Sequence, residues 1–161
     1  MRILGVDPGL GVTGYGVIES RPSLRLIEAG VIRTKPAEGI ARRLAKIYTA
    51  LSEAITELKP DVLVIEKLYA HAKHPATAIL MGHVRGVVCL LSGTRNLPLV
   101  SLPSTRVKKA VTGRGHAGKM QVQRMIQQAL SLKTLPEPPD VADALAVAVT
   151  YSQSIQPKSA R

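Results

Sequence analysis

The hydrophobic residues of the first sixty positions follow two different periods. Ile3 to Val6 is a continuous apolar run, and Val12 to Ile18 alternates apolar and small residues, which predicts two strands joined by a tight turn. Leu24 to Thr34 predicts a third strand, antiparallel to the second. From Glu38 to Leu58 the apolar residues recur every three or four positions, which predicts an amphipathic helix stopped at Pro60.

The middle of the chain continues this alternation of strand and helix. Asp61 to Glu66 is a short apolar run that ends in an acid, which is typical of a strand buried on both faces. Pro75 to Leu91 predicts a mostly apolar helix that is central to the domain, forms a dimer interface, or does both. Leu97 to Leu102 predicts a fifth strand, which Pro98 places at an edge of the sheet. The alternation favours a layered α/β domain.

Helices and loops make up the rest of the predicted domain. Ser104 is expected to cap a short helix, and a basic loop from Thr112 to Lys119 leads to a helix over Met120 to Leu130. A proline-rich linker precedes a last helix over Asp140 to Tyr151. We expect one domain over residues 1–154 and a disordered basic tail over residues 155–161.

The net charge of the chain indicates what kind of partner it binds. The chain has 161 residues, 22 Lys and Arg against 11 Asp and Glu, and a net charge of +11. Such an excess favours a polyanionic partner, nucleic acid first and an anionic membrane second. The single cysteine, Cys89, excludes an internal disulfide and is expected to be a structural thiol. No secretory signal opens the chain, and its longest apolar stretch carries His83 and Arg85, so we expect a cytoplasmic protein without a membrane span.

Four acids stand at positions where folding would bring them together. Asp7 ends the first strand and Glu66 ends the fourth, and ligand sites in α/β sheets gather at such carboxyl ends. Asp140 and Asp143 share one face near the start of the last helix. Converging carboxylates cannot all stay ionised without cations, and oxygen ligands select Mg²⁺ or Mn²⁺. Two such ions, about 3.5 to 4 Å apart, form the clamp used for phosphodiester cleavage.

Each of these signals also has a simpler interpretation. Asp7 in a D-P-G turn can bond its own loop, and Asp140 with Asp143 can serve as helix-start acids. His71 and His74 are a weak metal motif because no further soft ligands accompany them. The basic loop is either a solvated surface or a phosphate-binding segment.

Five segments together resemble the RuvC family of Holliday-junction resolvases. They are VDPGLGVTGYGVI, VLVIEKLY, MGHVRG, VKKAVTGRGHAGKMQVQ and DVADALAVAV, in the family's order over nearly the whole chain. The resemblance implies an RNase H-like fold with a five-stranded mixed sheet flanked by helices. It also implies a homodimer that nicks two opposed strands of a four-way DNA junction, leaving 5′-phosphate and 3′-hydroxyl ends, and that works with the RuvA and RuvB branch-migration proteins.

The resemblance also assigns roles to residues by position. The family's catalytic, metal-binding carboxylates fall on Asp7, Glu66, Asp140 and Asp143, and its two essential basic residues fall on Lys108 and Lys119. The family's aromatic, commonly Phe, is Tyr69 here, where stacking on an unpaired base should survive. The residues expected to bind DNA are Tyr69, Arg106, Lys108, Lys109, Arg114 and Lys119.

The mechanistic hypothesis is that Asp7 bridges two Mg²⁺ ions, with Mn²⁺ as a possible substitute. Glu66 and Asp143 complete their shells, and Asp140 holds the ion nearest the nucleophilic water. Three other functions stay open. They are a fragment of an actin-like or sugar-kinase-like ATPase, a catalytically idle junction-binding protein of the same fold, and an RNase H proper.

Overall fold

The computed structural model of the protein describes residues 1–67 and 75–155, and it contains one five-stranded mixed sheet. The strand order across the sheet is β3-β2-β1-β4-β5. β1, β2 and β3 form an antiparallel meander, whereas β4 and β5 run parallel to β1. β5 lies at an edge, as Pro98 predicted. The strands are β1 Arg2–Asp7, β2 Val12–Glu19, β3 Arg25–Arg33, β4 Val62–Glu66 and β5 Leu99–Leu102.

Five α-helices cover the two faces of this sheet. The predicted helices are all found in the described residues, with their ends displaced by a few positions. A short 3-10 turn at Pro36–Glu38 precedes the first helix, which ends where Lys59 adopts a left-handed conformation. The helices are α1 Gly39–Leu58, α2 Pro75–Thr94, α3 Ser104–Thr112, α4 Lys119–Ala129 and α5 Pro139–Ser154.

The alternation of side chains along each strand builds a separate aliphatic core on each face. On one face, Ile3 and Val64 pack with α3, α4 and the almost wholly buried α5. On the other face, Leu4 and Leu63 pack with α1 and the inward stripe of α2. The central strands β1 and β4 are therefore covered on both sides, as a continuous apolar run predicts.

Helix α5 approaches the sheet closely because two strand residues lack a side chain. A Cβ added to Gly5 would collide with the carbonyl oxygen of Ala144, and one added to Gly14 would collide with that of Asp140. Gly14 pairs with Asp7 across the β1–β2 ladder. The first turn of α5 is therefore held directly over the end of β1, where its acids can approach Asp7.

Helix α2 is mostly exposed, so the expectation that it is central to the domain is wrong. Its inward stripe contains Val84, Val88 and Leu91, whereas Ile79 is 62% exposed and Leu90 is 56% exposed. Cys89 is also exposed, which corrects the expectation of a buried structural thiol. By length and composition this helix could cross a membrane, since Ala76–Thr94 has a mean hydropathy of 1.5 and only 17% of it is buried.

Some sequence predictions concern residues outside the described ranges. Tyr69, His71 and His74 lie outside them, and so do residues 156–161 of the predicted tail. These predictions are neither confirmed nor contradicted.

Candidate active site

Asp7 and Glu66 occupy equivalent positions at the carboxyl ends of neighbouring parallel strands. Val6 of β1 pairs with Ile65 of β4, and each acid is the next residue in its strand. Both side chains are partly exposed, whereas the residues that precede them are fully buried. The sheet therefore presents two carboxylates at one rim, above an apolar floor.

Asp140 and Asp143 reach the same rim from α5. Asp140 lies in the first turn of this helix, and its backbone packs against Gly14, the residue paired with Asp7. Asp143 is one helical turn further on and is only partly exposed. The four predicted carboxylates are thus brought to one place by two strands and one helix end.

Burial and mutual repulsion make Asp7 the most perturbed of these acids. Loss of hydration on burial raises the pKa of Asp7 from 3.8 to about 7, and the charges of Asp143, Asp140 and Glu66 add to this effect. Lys119 lowers the pKa of Asp7 but does not offset the increase. At neutral pH, Asp7 therefore retains a large share of its proton unless a cation compensates the cluster.

Two lysines and one hydroxyl group influence the ionisation of Glu66 and Asp143. Burial raises the pKa of both Glu66 and Asp143, and Lys108 lowers both. Lys119, the first residue of α4, also lowers the pKa of Asp143. The hydroxyl of Ser104 lowers the pKa of Glu66. The lysines predicted to be catalytic therefore lie close enough to the carboxylates to influence their ionisation.

The predicted role of Ser104 as a helix cap is wrong. The N-cap of α3 is Pro103, and no side chain caps this helix end. Ser104 is instead the first residue of the helix, and its hydroxyl interacts with the Glu66 side chain.

Sequence reasoning also missed the contact that fixes the backbone at Glu66. The guanidinium of Arg85 on α2 donates to the Glu66 carbonyl oxygen at 3.0 Å and to the Ser101 hydroxyl of β5 at 2.9 Å. The amide of Lys67 donates to the Leu102 carbonyl at 2.7 Å, which extends the ladder beyond the strand. The signal available in the sequence was a lone arginine inside an otherwise apolar helix.

The other predicted DNA-binding residues lie apart from the carboxylates. Arg106 and Lys109 line a separate cleft on the outer side of α3. Arg114 is exposed in the loop after α3, where its amide donates to the Thr112 hydroxyl at 3.2 Å. Tyr69 lies outside the described residues.

The chemistry of the four acids fits a hard divalent cation. All four supply oxygen atoms only, and burial, together with the neighbouring carboxylates, raises the pKa of Asp7 although Lys119 opposes the shift. Within residues 1–67 and 75–155, no three His, Cys, Asp or Glu side chains are already gathered closely enough to enclose an ion. Mg²⁺ suits such an open site because it keeps several of its waters.

Comparison with known proteins identifies what the whole chain resembles. Residues 3–151 match the family model described as crossover junction endodeoxyribonuclease RuvC. The RuvC protein of Rhodopirellula baltica is 45% identical over 148 residues, covering 91% of this chain and 83% of that protein. The RuvC protein of Thermomicrobium roseum is 42% identical over 153 residues, covering 95% and 93%.

Solved structures agree with the sequence comparison. The structure described as T. thermophilus RuvC in complex with Holliday junction substrate matches with a TM-score of 0.87 and 30% identity, covering 94% of this chain and 93% of that one. The yeast mitochondrial Holliday junction resolvase matches with a TM-score of 0.60, covering 94% of this chain and 78% of that one. Because the two are only 13% identical, this match shows a shared fold and nothing more. The expected RNase H-like fold, with its five-stranded mixed sheet, is confirmed.

The raised pKa of Asp7 predicts how stability depends on pH without metal. A native pKa of about 7, above the ordinary 3.8, means that the folded protein binds more protons than the unfolded chain between these values. The free energy of unfolding should therefore fall, by up to about 4 kcal/mol, as pH rises from 4 to 8. Urea denaturation in EDTA measures this change, and Asp7→Asn should flatten it. An equally steep fall in the variant would contradict the prediction.

Proposed function

The chain belongs to the RuvC family of crossover junction endodeoxyribonucleases, and on that basis we propose that it resolves Holliday junctions by paired, symmetric nicking of opposed strands. The products would carry 5′-phosphate and 3′-hydroxyl ends, and the reaction would serve recombination and DNA repair. The observation that carries this proposal is the meeting of Asp7, Glu66, Asp140 and Asp143 at one rim of the sheet. The protein has a net charge of +11, and a cluster of acids in it would repel phosphate. Divalent cations bound to these acids would instead attract the phosphate that is to be cut.

We assign the four carboxylates to hold two Mg²⁺ ions, for which Mn²⁺ can substitute. Bound there, the ions supply a nucleophilic water and stabilise the charge that develops on the phosphate. The other three acids all raise the pKa of Asp7, so we assign Asp7 as the carboxylate that would contact both ions. Glu66, Asp140 and Asp143 complete the oxygen set, and the Arg85 contact keeps the Glu66 backbone in place.

We assign Lys108 and Lys119 to the phosphate that is being cut. Both influence the ionisation of the carboxylates, so their ammonium groups lie near the place where the phosphate would enter. A positive charge there offsets charge that develops in the transition state. Tyr69 remains our candidate for stacking on an unpaired base at the crossover.

We propose that the outward face of α2 forms the homodimer interface. Ile79 and Leu90 are exposed on this face, and a Cβ added at Gly82 or Gly86 would meet no atom within 4 Å. Small residues between large apolar ones let a second helix approach closely. Symmetric resolution also needs two equivalent sites related by a two-fold axis.

Three finer assignments follow from family membership. The protein would act with the RuvA and RuvB branch-migration proteins on a four-way DNA junction. It would work in the cytoplasm, where its DNA lies, and α2 would be covered by a second copy instead of lipid. An idle junction-binding protein is the less favoured alternative, because a binder gains nothing from four acids facing phosphate.

Replacement of one carboxylate should separate cleavage from binding. With Mg²⁺, the wild-type protein should make paired symmetric nicks in a synthetic mobile four-way junction. Asp7→Asn should slow cleavage by more than about a hundredfold, because it removes a metal ligand, while junction affinity remains set by the basic surface. Denaturing gels and fluorescence anisotropy measure the two effects in the same samples.

Asp61→Asn is the matched control for this experiment. Asp61 is exposed, accepts a hydrogen bond from the Arg2 amide at 2.7 Å, and precedes β4 at the end opposite the rim. This variant should cut the junction at the wild-type rate. A wild-type protein that binds but never cuts, with any divalent metal and any junction sequence, would favour the idle binder. Preferential cutting of an RNA–DNA hybrid would favour an RNase H proper.

Charge placed on the exposed face of α2 should dissociate the dimer. Ile79→Glu would bury an unpaired carboxylate in the interface, which costs several kcal/mol and should weaken association by more than about a hundredfold. Light scattering coupled to size-exclusion chromatography measures the mass at each protein concentration. Junction cleavage by this variant should lose its symmetry between the two opposed strands.

Ile40→Glu provides the comparison on a different surface. Ile40 is 42% exposed at the start of α1, so the same change there should leave the dimer intact. A wild-type protein that stays monomeric at concentrations where it cuts junctions would contradict the assignment. So would an Ile79→Glu variant that remains as dimeric as the wild type.

A further inference from the structure

Arg85 joins the ends of two neighbouring strands beside the candidate metal site. Its Nη1 donates to the carbonyl oxygen of Glu66 at 3.0 Å, and its Nη2 donates to the hydroxyl of Ser101 at 2.9 Å. These acceptors belong to adjacent strands, since Ile65 pairs with Ser101 and Glu66 pairs with Leu102. The planar guanidinium therefore spans β4 and β5 with two nitrogens at once, which the single ammonium group of a lysine cannot do.

Both of these strand ends lead to groups of the candidate active site. Glu66 is one of the four carboxylates, and the amide of Lys67 donates to the Leu102 carbonyl at 2.7 Å, which joins the two strands once more. Helix α3 begins soon after β5, at Ser104, whose hydroxyl interacts with the Glu66 side chain. The same helix carries Lys108. A change in the position of Arg85 would therefore reach Glu66 both through its backbone and through α3.

The helix that carries Arg85 is the one we assign to the homodimer interface. Val84 is fully buried, whereas Gly86 is exposed. Arg85 thus lies at the border between the face of α2 that packs on the sheet and the face that would meet a second copy. A helix moves as a rigid element, so any adjustment of α2 on dimerisation would be passed to β4 and β5 by this direct contact.

We propose that Arg85 is a positioning residue through which dimerisation raises the metal affinity of each active site. This inference rests on the proposed function, because it takes the α2 interface and the metal-binding role of Glu66 from there. Arg85 acts through Glu66 and α3, and the ion itself is held by the carboxylates. A single copy would hold Glu66 less firmly and bind divalent ions more weakly. Cutting would then be favoured where two copies meet on one junction, which suppresses unpaired nicks.

Removal of the guanidinium should weaken metal binding. Arg85→Met keeps the aliphatic bulk and loses both hydrogen bonds, so its Mn²⁺ affinity should fall about tenfold, as expected when a metal ligand loses its supporting partner. The electron paramagnetic resonance signal of free Mn²⁺ measures this affinity without DNA. Arg85→Lys should recover little of the loss, because one ammonium group cannot reach both acceptors.

The dependence of cleavage on Mg²⁺ distinguishes positioning from a loss of folding. Arg85→Met should cut the junction slowly at low Mg²⁺ and return to within about a factor of three of the wild-type rate at saturating Mg²⁺. A variant that is merely misfolded would stay slow at every Mg²⁺ concentration. Thermal melting checks that the variant is folded.

Arg95→Met is the matched control for Arg85→Met. Arg95 directly follows α2, and its Nη2 donates to the hydroxyl of Ser52 on α1 at 2.6 Å. It therefore also fastens α2 to the rest of the fold through a serine, but at a contact that includes none of the four carboxylates. This variant should bind Mn²⁺ as tightly as wild type.

A double-mutant cycle tests the link to dimerisation. Ile79→Glu, which should dissociate the dimer, should also weaken Mn²⁺ binding several-fold, whereas Ile40→Glu should not. In the Arg85→Met protein, Ile79→Glu should have little further effect, because the contact that transmits it is already lost.

Three results would overturn the inference. They are wild-type Mn²⁺ affinity in Arg85→Met, wild-type Mn²⁺ affinity in a monomeric Ile79→Glu protein, and losses that simply add in the double variant. A wild-type protein that binds Mn²⁺ and the junction but never cuts would defeat the proposed function alone, since the Mn²⁺ measurements would still decide the role of Arg85.

Discussion

The close approach of α5 to the first two strands is the constraint on which the site depends. Gly5 and Gly14 leave no room for a side chain between sheet and helix, so carbonyl oxygens of α5 occupy that space. This contact carries the start of α5, with Asp140 and Asp143, over the end of β1. Burial and repulsion then raise the pKa of Asp7 to about 7. The fold thus holds together acids that would separate in solution, and their unfavourable ionisation is what favours a bound cation.

The position of the acids in a basic protein follows from the layered fold, in which helices cover both faces of one sheet. Strand ends and the first turn of a helix can be held by a rigid core, so four carboxylates meet there with little freedom. Long cationic side chains near the acids lie on α3, α4 and the connecting loop, outside that core. Lys108 and Lys119 border the acids, whereas Arg106 and Lys109 line a separate cleft without acidic residues.

Much of this arrangement could be predicted from sequence because it depends on short-range patterns. The apolar run before Asp7, the run before Glu66 and the spacing of Asp140 and Asp143 each define a local element and its acidic end. The predictions that failed have one local cause and others that depend on tertiary packing. Ser104 was predicted to cap α3, but Pro103 occupies the N-cap position. Cys89 was predicted to be buried, but it is exposed because only one stripe of α2 is covered. The contact of Arg85 with Glu66 joins residues on separate elements, which no local pattern encodes.

The most direct test of this account is the anomalous scattering of crystals soaked in Mn²⁺. We predict manganese peaks in contact with the Asp7 carboxylate and bounded by Glu66, Asp140 and Asp143, and no such peaks in crystals of Asp7→Asn. If crystals soaked in saturating Mn²⁺ show no manganese peak at these carboxylates, the claim that the fold gathers them to hold metal is contradicted. Peaks of equal strength in the variant would show that Asp7 is not the residue around which the site is built.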